Sequence, residues 1–112
     1  MKTLGHEGEE IAVRYLRAKG FRIIHRNFKT PIGEADIIAL DKDTTVFVEV
    51  KARSSCRFGE PFEAVDTRKQ AKLRKIAMFY QKQAGDESPI RFDIVSIKSG
   101  KEIGIDHIME AF

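Results

Sequence analysis

The 112-residue chain has one cysteine, and no apolar run in it approaches the roughly 20 residues needed to cross a bilayer. Cys56 has no partner within the chain, which excludes a disulfide framework. The absence of a Cys/His cluster excludes a structural zinc site as well. A lone thiol suits a reducing compartment, and Cys56 reads as a loop residue without a task. The first residues, MKTLGHEGEE, lack the apolar stretch of a secretory signal, so the expected location is the cytoplasm, with no membrane association. There is no Gly-rich phosphate loop, no Ser/His/Asp arrangement, no internal repeat and no interdomain linker. His6-Glu7 opens like a zinc-protease helix, but Glu10 stands where the second His belongs.

What is present suits one compact domain over residues 1–112. The hydrophobic content is 42%, and a chain of this length buries roughly 65% of its unfolded surface, enough for a core without staples. The net charge of +3 and a pI near 9.1 permit a polyanionic partner without demanding one. Distribution says more than the total. Cations gather in KARSSCR (51–57) and TRKQAKLRK (67–75), acids in HEGEE and DKD.

Periodicity predicts a helix over about 5–19, with Ala12, Tyr15 and Leu16 on one face and Gly20 as its stop. Strands are expected over about 21–28, 34–40 and 45–52, the last two joined through DKDT as a hairpin. A loop is expected over 53–65, a second helix over about 67–83, and a strand over 91–97. The tail, 105–112, reads as a short helix. The order αβββαβ contains one strand–helix–strand crossover, which makes its two strands parallel neighbours. The expected fold is an α/β sandwich, a mixed sheet with a helix on at least one face.

The hairpin carries three charges inside apolar runs: Asp36, Glu49 and Lys51. An even-length connection centred between Lys42 and Asp43 sets Ile38 opposite Phe47, Asp36 opposite Glu49 and Glu34 opposite Lys51. Ala35, Ile37, Ala39, Val46, Val48 and Val50 then share the other face. An odd-length loop would mix carboxylates into that valine face, which the pattern disfavours. Like charges directly opposed across antiparallel strands, with Cβ atoms about 4.5 to 5.5 Å apart, destabilise the pair. A divalent cation such as Mg²⁺, which takes carboxylate oxygens and keeps several waters, would compensate. Lys51 would stand beside it as a point charge. The plainer alternative is solvated charge, with Glu34 and Lys51 as a cross-strand salt bridge worth under about 1 kcal/mol.

Both helices offer further candidates. Glu9 falls at the border of the first helix's apolar stripe and can lean toward the sheet, or can simply serve as an acid near a helix N-terminus. Lys69 and Gln70 extend the core-facing stripe of the second helix at one end. Thr67-x-x-Gln70 also reads as a capping box, and capping is the first expectation for Gln70.

The pattern GEEIAVRYLRAKGF…RN, GEADIIA…VFVEVKAR, FGEPFEAV…RKQAKLRKIAMFY, RFDIVSI and HIMEAF strongly resembles the YraN family of endonuclease-like bacterial proteins, over nearly the whole chain. More widely it is similar to the PD-(D/E)XK nucleases and, among them, archaeal Holliday-junction resolvases. That resemblance implies a restriction-endonuclease-like α/β fold with the αβββαβ core. Asp36 takes the place of the metal-binding Asp, Glu49 of the second acid, Lys51 of the Lys, and Glu9 of the resolvases' helix-one acid. Ala35 stands where the superfamily often has Pro. The implied activity is hydrolysis of nucleic-acid phosphodiesters, with Mg²⁺ or Mn²⁺ held by Glu9, Asp36 and Glu49; branched DNA is one candidate substrate, and DNA against RNA and branched against duplex stay open. Lys51 would orient the attacking water. Arg53, Arg57, Arg68, Lys69 and Lys72 would contact DNA phosphates, with Glu34 and Gln70 in supporting or capping positions. A homodimer would suit a resolvase-like role, because junction cutting needs two coordinated incisions. The alternative is a non-catalytic nucleic-acid-binding module that keeps the fold and acts through a partner.

Overall fold

The computed structural model describes residues 4–53 and 65–112, with backbone alone for residues 4–6 and 53. Seven elements follow one another: α1 (Leu4–Ala18), β1 (Arg22–Lys29), β2 (Glu34–Asp41), β3 (Thr44–Arg53), α2 (Thr67–Ala84), β4 (Ile90–Lys98) and β5 (Gly104–Ile108). Ala12, Val13 and Leu16 bury one stripe of α1. The helix ends where Gly20 adopts φ 97°, a left-handed conformation that a side chain would strain. The N–H groups of Gly20 and Phe21 then donate to the carbonyls of Arg17 and Leu16 at 3.0 and 2.9 Å, satisfying carbonyls that the last turn leaves free. α2 ends the same way at Gly85.

The five strands form one sheet in the order β1-β2-β3-β4-β5. β3 and β4 run parallel, connected through α2, and every other neighbouring pair is antiparallel. The β2–β3 connection is tight, with Lys42 at φ 58°. Its register places Asp41 opposite Thr44, Ala39 opposite Val46 and Ile38 opposite Phe47, as the even-length hairpin requires.

The sheet is covered on both faces. α1 packs on Ile37, Ala39, Val46, Val48, Val95 and Ile97. α2 packs through Leu73, Ile76, Ala77 and Tyr80 on Ile38, Phe47 and Ile94. Each of the buried Val, Leu, Ile and Phe side chains among these contributes roughly 1.5–3 kcal/mol relative to exposure. Both layers are needed because β2 and β3 bury consecutive residues, leaving neither face for water.

Three local expectations are corrected. The tail does not form a helix: residues 104–108 are β5, antiparallel to β4. Ile105 and His107 turn toward the α1 layer, while Asp106 points out to Lys98 at 3.1 Å. Ala35 belongs to the α2 layer with Ile38, not to the α1 layer with Ile37 and Ala39. The strict alternation of β2 therefore breaks around Asp36, beside the left-handed Asn27 (φ 52°) of β1. Thr67 is not the cap of α2. Asp66 is, its carboxylate accepting the Lys69 N–H at 2.9 Å, while Gln70 donates to the Val65 carbonyl at 3.2 Å. Asp ranks above Thr as an N-cap and stands one residue earlier. The expected loop around Cys56 lies, over residues 54–64, outside the described residues.

Candidate active site

The β2–β3 pairing runs from the turn as far as Ile37–Val48 and ends there. At the next step the Val50 N–H donates to the Asp36 side chain, at 2.9 Å from Oδ2. A carboxylate thus takes the place of a ladder carbonyl, and the two strands diverge with Asp36 on one and Glu49 on the other. The β2–β3 ladder does not extend to Glu34 and Lys51, and the expected cross-strand salt bridge gives way to contacts around Glu49. Lys51 Nζ lies 3.9 Å from Glu49 Oε1, and Lys69 Nζ, from the first turn of α2, donates to the same oxygen at 2.9 Å.

Glu49 is 7% exposed, and Asp36 is half-buried beside it. Burial first, and then the charge of Glu49, push the Asp36 carboxyl up to about 7, against the lowering effect of the Val50 hydrogen bond; Glu9 adds a further negative charge. Burial and the neighbouring Lys69 lower the Lys51 ammonium. Burial alone would lower Lys69 too, but its bond to Glu49 outweighs that and raises it. The group is therefore two acids facing two lysines, with one acid poised to titrate near neutrality.

Asp36, Glu49 and Lys69 open on a cleft of about 490 Å³ between the start of β2 and α2. Glu34, Asp36 and Glu49 supply its acids from the sheet, and Arg68, Lys69 and Lys72 its cations from α2, with Leu73 and Ile76 as apolar lining. Of the expected site residues, Asp36, Glu49, Lys51 and Lys69 are brought together, and Glu34, Arg68 and Lys72 line the same cleft. Gln70 turns back to Val65 and does not line it. The side chain of Arg53 and all of Arg57 lie outside the described residues.

The expected triad of Glu9, Asp36 and Glu49 is not assembled: among the described residues, no three Asp, Glu, His or Cys side chains are gathered so as to hold a metal ion. Glu9, on α1, acts on Asp36 as a neighbouring negative charge. α1 approaches β3 closely here, because Gly8 leaves room. A Cβ on Gly8 would sit 2.8 Å from the Cβ of Ala52.

Two features escaped the sequence. Asp66 both caps α2 and lines the cleft, a role signalled by an Asp directly before a helical run. Lys69 bonds Glu49 directly, where only a phosphate contact was expected; no local pattern announces a pairing across 20 positions. Asp93, whose role the sequence left open, is 1% exposed on the α1 side and remote from this cleft in packing. It accepts two bonds from Arg91 at 2.9 and 3.0 Å and one from the Glu110 N–H at 3.2 Å, and lies 2.8 Å from His107 Nε2. Burial would raise its carboxyl, but His107 and Arg91 outweigh that and hold it below the usual range.

A sequence model of the family described as "Uncharacterised protein family UPF0102" matches residues 8–97. The chain belongs to the UPF0102 family. It is 47% identical over 109 residues to a UPF0102 protein of Thermodesulfovibrio yellowstonii, covering 97% of this chain and 95% of that one. A UPF0102 protein of Syntrophomonas wolfei is 49% identical over 114 residues, covering 99% and 98%. One from Clostridioides difficile is 44% identical over 112 residues, covering 99% and 97%. The YraN-type resemblance read from the sequence is thus to this family. Among solved structures, the EndoMS–dsDNA2 complex gives a TM-score of 0.48 at 18% identity, covering 82% of this chain and 36% of that one. The fold of this UPF0102 chain rests on its own strand order and packing. No helix among its described residues is long and apolar enough to cross a membrane.

Proposed function

We infer that the protein is a nuclease that hydrolyses nucleic-acid phosphodiesters, DNA first among them, with a divalent cation held by Asp36 and Glu49. One observation carries this reading. Two carboxyl groups meet in a cleft at a break in the sheet, and burial together with Glu49 pushes Asp36 up to about 7. Such a pair offers hard oxygen donors, which suits Mg²⁺ or Mn²⁺. Mg²⁺ is commonly held by only one or two carboxylates, with waters and substrate phosphate completing its shell, so two ligands from the chain suffice. Bound there, the ion would lower the pKa of a water and offset charge on the phosphoryl group.

The chain's own residues do the rest. Lys51, 3.9 Å from Glu49 and with its ammonium lowered by burial and Lys69, stands where it can orient the attacking water. Arg68 and Lys72 present cations along the cleft to flanking phosphates, which binds backbone without reading sequence and makes affinity fall steeply with salt. The test is incubation with branched, duplex and single-stranded DNA, and with RNA, in Mg²⁺ or Mn²⁺. Wild type should cut at least one of these, and Asp36→Ala should lose the activity. Equal cutting by both proteins, or none by either, contradicts the reading.

A second reading, a non-catalytic nucleic-acid-binding module, is favoured by one contact. Lys69 already neutralises Glu49 without any ion. Nucleic-acid binding that needs no divalent ion and survives Glu49→Ala would select it.

A further inference from the structure

Lys69 is placed where a cation would be useful to Glu49, and it is held there from both ends. Its N–H donates to the Asp66 carboxylate and its Nζ to Glu49 Oε1, each at 2.9 Å. The Glu49 side chain is 9% exposed and that of Lys69 37%, so the ammonium keeps an open side while the carboxylate keeps little. Arg68 and Lys72 line the same cleft. Lys72 lies against Gly33, where an added Cβ would stand 2.5 Å from its Cε. The first turns of α2 therefore present a row of cations, one of which is turned inward onto a buried acid.

A carboxylate oxygen that accepts an ammonium at hydrogen-bond distance cannot offer the same lone pair to a divalent ion, and two cations crowded on one oxygen repel. Resting on the reading of Asp36 and Glu49 as an ion-binding pair, we propose that Lys69 is a resident counter-ion that must leave Glu49 before the pair can take a divalent cation, and that nucleic-acid phosphate draws it away. Charge balance gives the direction of the coupling. If Lys69 leaves for a phosphate with no ion arriving, Glu49 is left buried beside Asp36 with only Lys51 near it. If an ion arrives with no phosphate, Lys69 is displaced toward Arg68 and Lys72 with nothing to neutralise it. When both ligands are present every charge has a partner, so each raises the affinity of the other by the same factor, typically about 5- to 150-fold for coupled sites. The device keeps the free protein poor in bound ion and loads it on nucleic acid.

The experiment is calorimetric titration of Mn²⁺ into the full chain at fixed ionic strength, without nucleic acid. Lys69→Gln should bind Mn²⁺ about tenfold more tightly than wild type, a gain within the usual range for such coupling. Lys69→Arg, which restores a donor to Glu49, should return to weak binding. Lys72→Gln removes the same charge from the same cleft without touching Glu49, and should change affinity by no more than about twofold, as a screened charge at the surface does. Fluorescence anisotropy with a phosphorothioate duplex supplies the second readout. Mn²⁺ should tighten its binding to wild type by about fivefold or more, and by less in Lys69→Gln. An unchanged or weaker Mn²⁺ affinity in Lys69→Gln, or an equal gain in Lys72→Gln, overturns the proposal. If wild type cuts in Mn²⁺ while Lys69→Gln shows unchanged affinity, only the counter-ion role fails. If no variant binds Mn²⁺ and none cuts, the nuclease reading fails with it.

Discussion

Asp36→Asn should stabilise the protein at mildly alkaline pH, and the size of the gain can be worked from the site. The Asp36 carboxyl has an ordinary value of 3.8 and is pushed up to about 7 in the fold by burial and by Glu49. A raised carboxyl contributes stability that is fully present below its unfolded value and is lost as pH rises through its folded value. Above both values the loss is about 4 kcal/mol at one pKa unit per roughly 1.4 kcal/mol, an energy shared with Glu49. Asn is close to isosteric, and its carbonyl oxygen can still accept the Val50 N–H that Asp36 accepts at 2.9 Å. The substitution removes the charge and keeps the bond. The assay is urea unfolding followed by circular dichroism, in chelator, across a pH series. With a urea dependence of about 1–3 kcal/mol per M, the variant's midpoint at about pH 8 should lie higher by more than about 1 M. The difference should shrink steadily on acidification and vanish only below the unfolded value of 3.8, where wild-type Asp36 becomes neutral in both states. A variant no more stable than wild type at about pH 8, or a difference that does not depend on pH, would refute the account of Asp36 as a strained acid.

Other outcomes follow from contacts elsewhere. Arg91→Ala leaves Asp93 buried with one fewer cation and should destabilise by about 3–5 kcal/mol in the same unfolding assay; a change below about 1 kcal/mol would mean that the cluster is not held by charge. Because the Asp93 carboxyl is lowered, its contribution is present above 3.8 and is lost as pH falls through its folded value, so acid unfolding should begin at higher pH in Arg91→Ala. Gly8→Ala should lower the melting temperature even though Ala is the better helix former by about 1 kcal/mol. The added methyl would stand 2.8 Å from the Ala52 Cβ and push α1 off β3; a raised melting temperature would contradict that approach.

The helices and the hairpin were readable in the sequence because they declare themselves locally. The Ala12–Leu16 stripe and Gly20 define α1, and a short polar turn between two apolar runs sets the pairing of Ile38 with Phe47. From that register came the meeting of Asp36 and Glu49, although the ladder itself stops one pair short of them. What could not be read depends on partners distant in the chain. β5 is a strand because β4 offers it an edge and Tyr15 and Phe21 offer His107 a packing site, whereas HIMEAF by itself fits a helical turn equally well. Ala35 changes layer because Asp36 spends its side chain on the Val50 N–H, an event with no signature in the pattern of apolar residues. Glu9 lies on α1, as its helical spacing implied, and acts on Asp36 as a neighbouring charge.

The claim at the centre is that Asp36 and Glu49 form a divalent-cation site. The most direct measurement is a soak in saturating Mn²⁺ of crystals grown with a phosphorothioate duplex, followed by an anomalous difference map. The account predicts a peak between the two carboxylates, with Lys69 Nζ withdrawn from the 2.9 Å contact it makes with Glu49. A map with no peak there and Lys69 still bonded to Glu49 at saturating Mn²⁺ would contradict it.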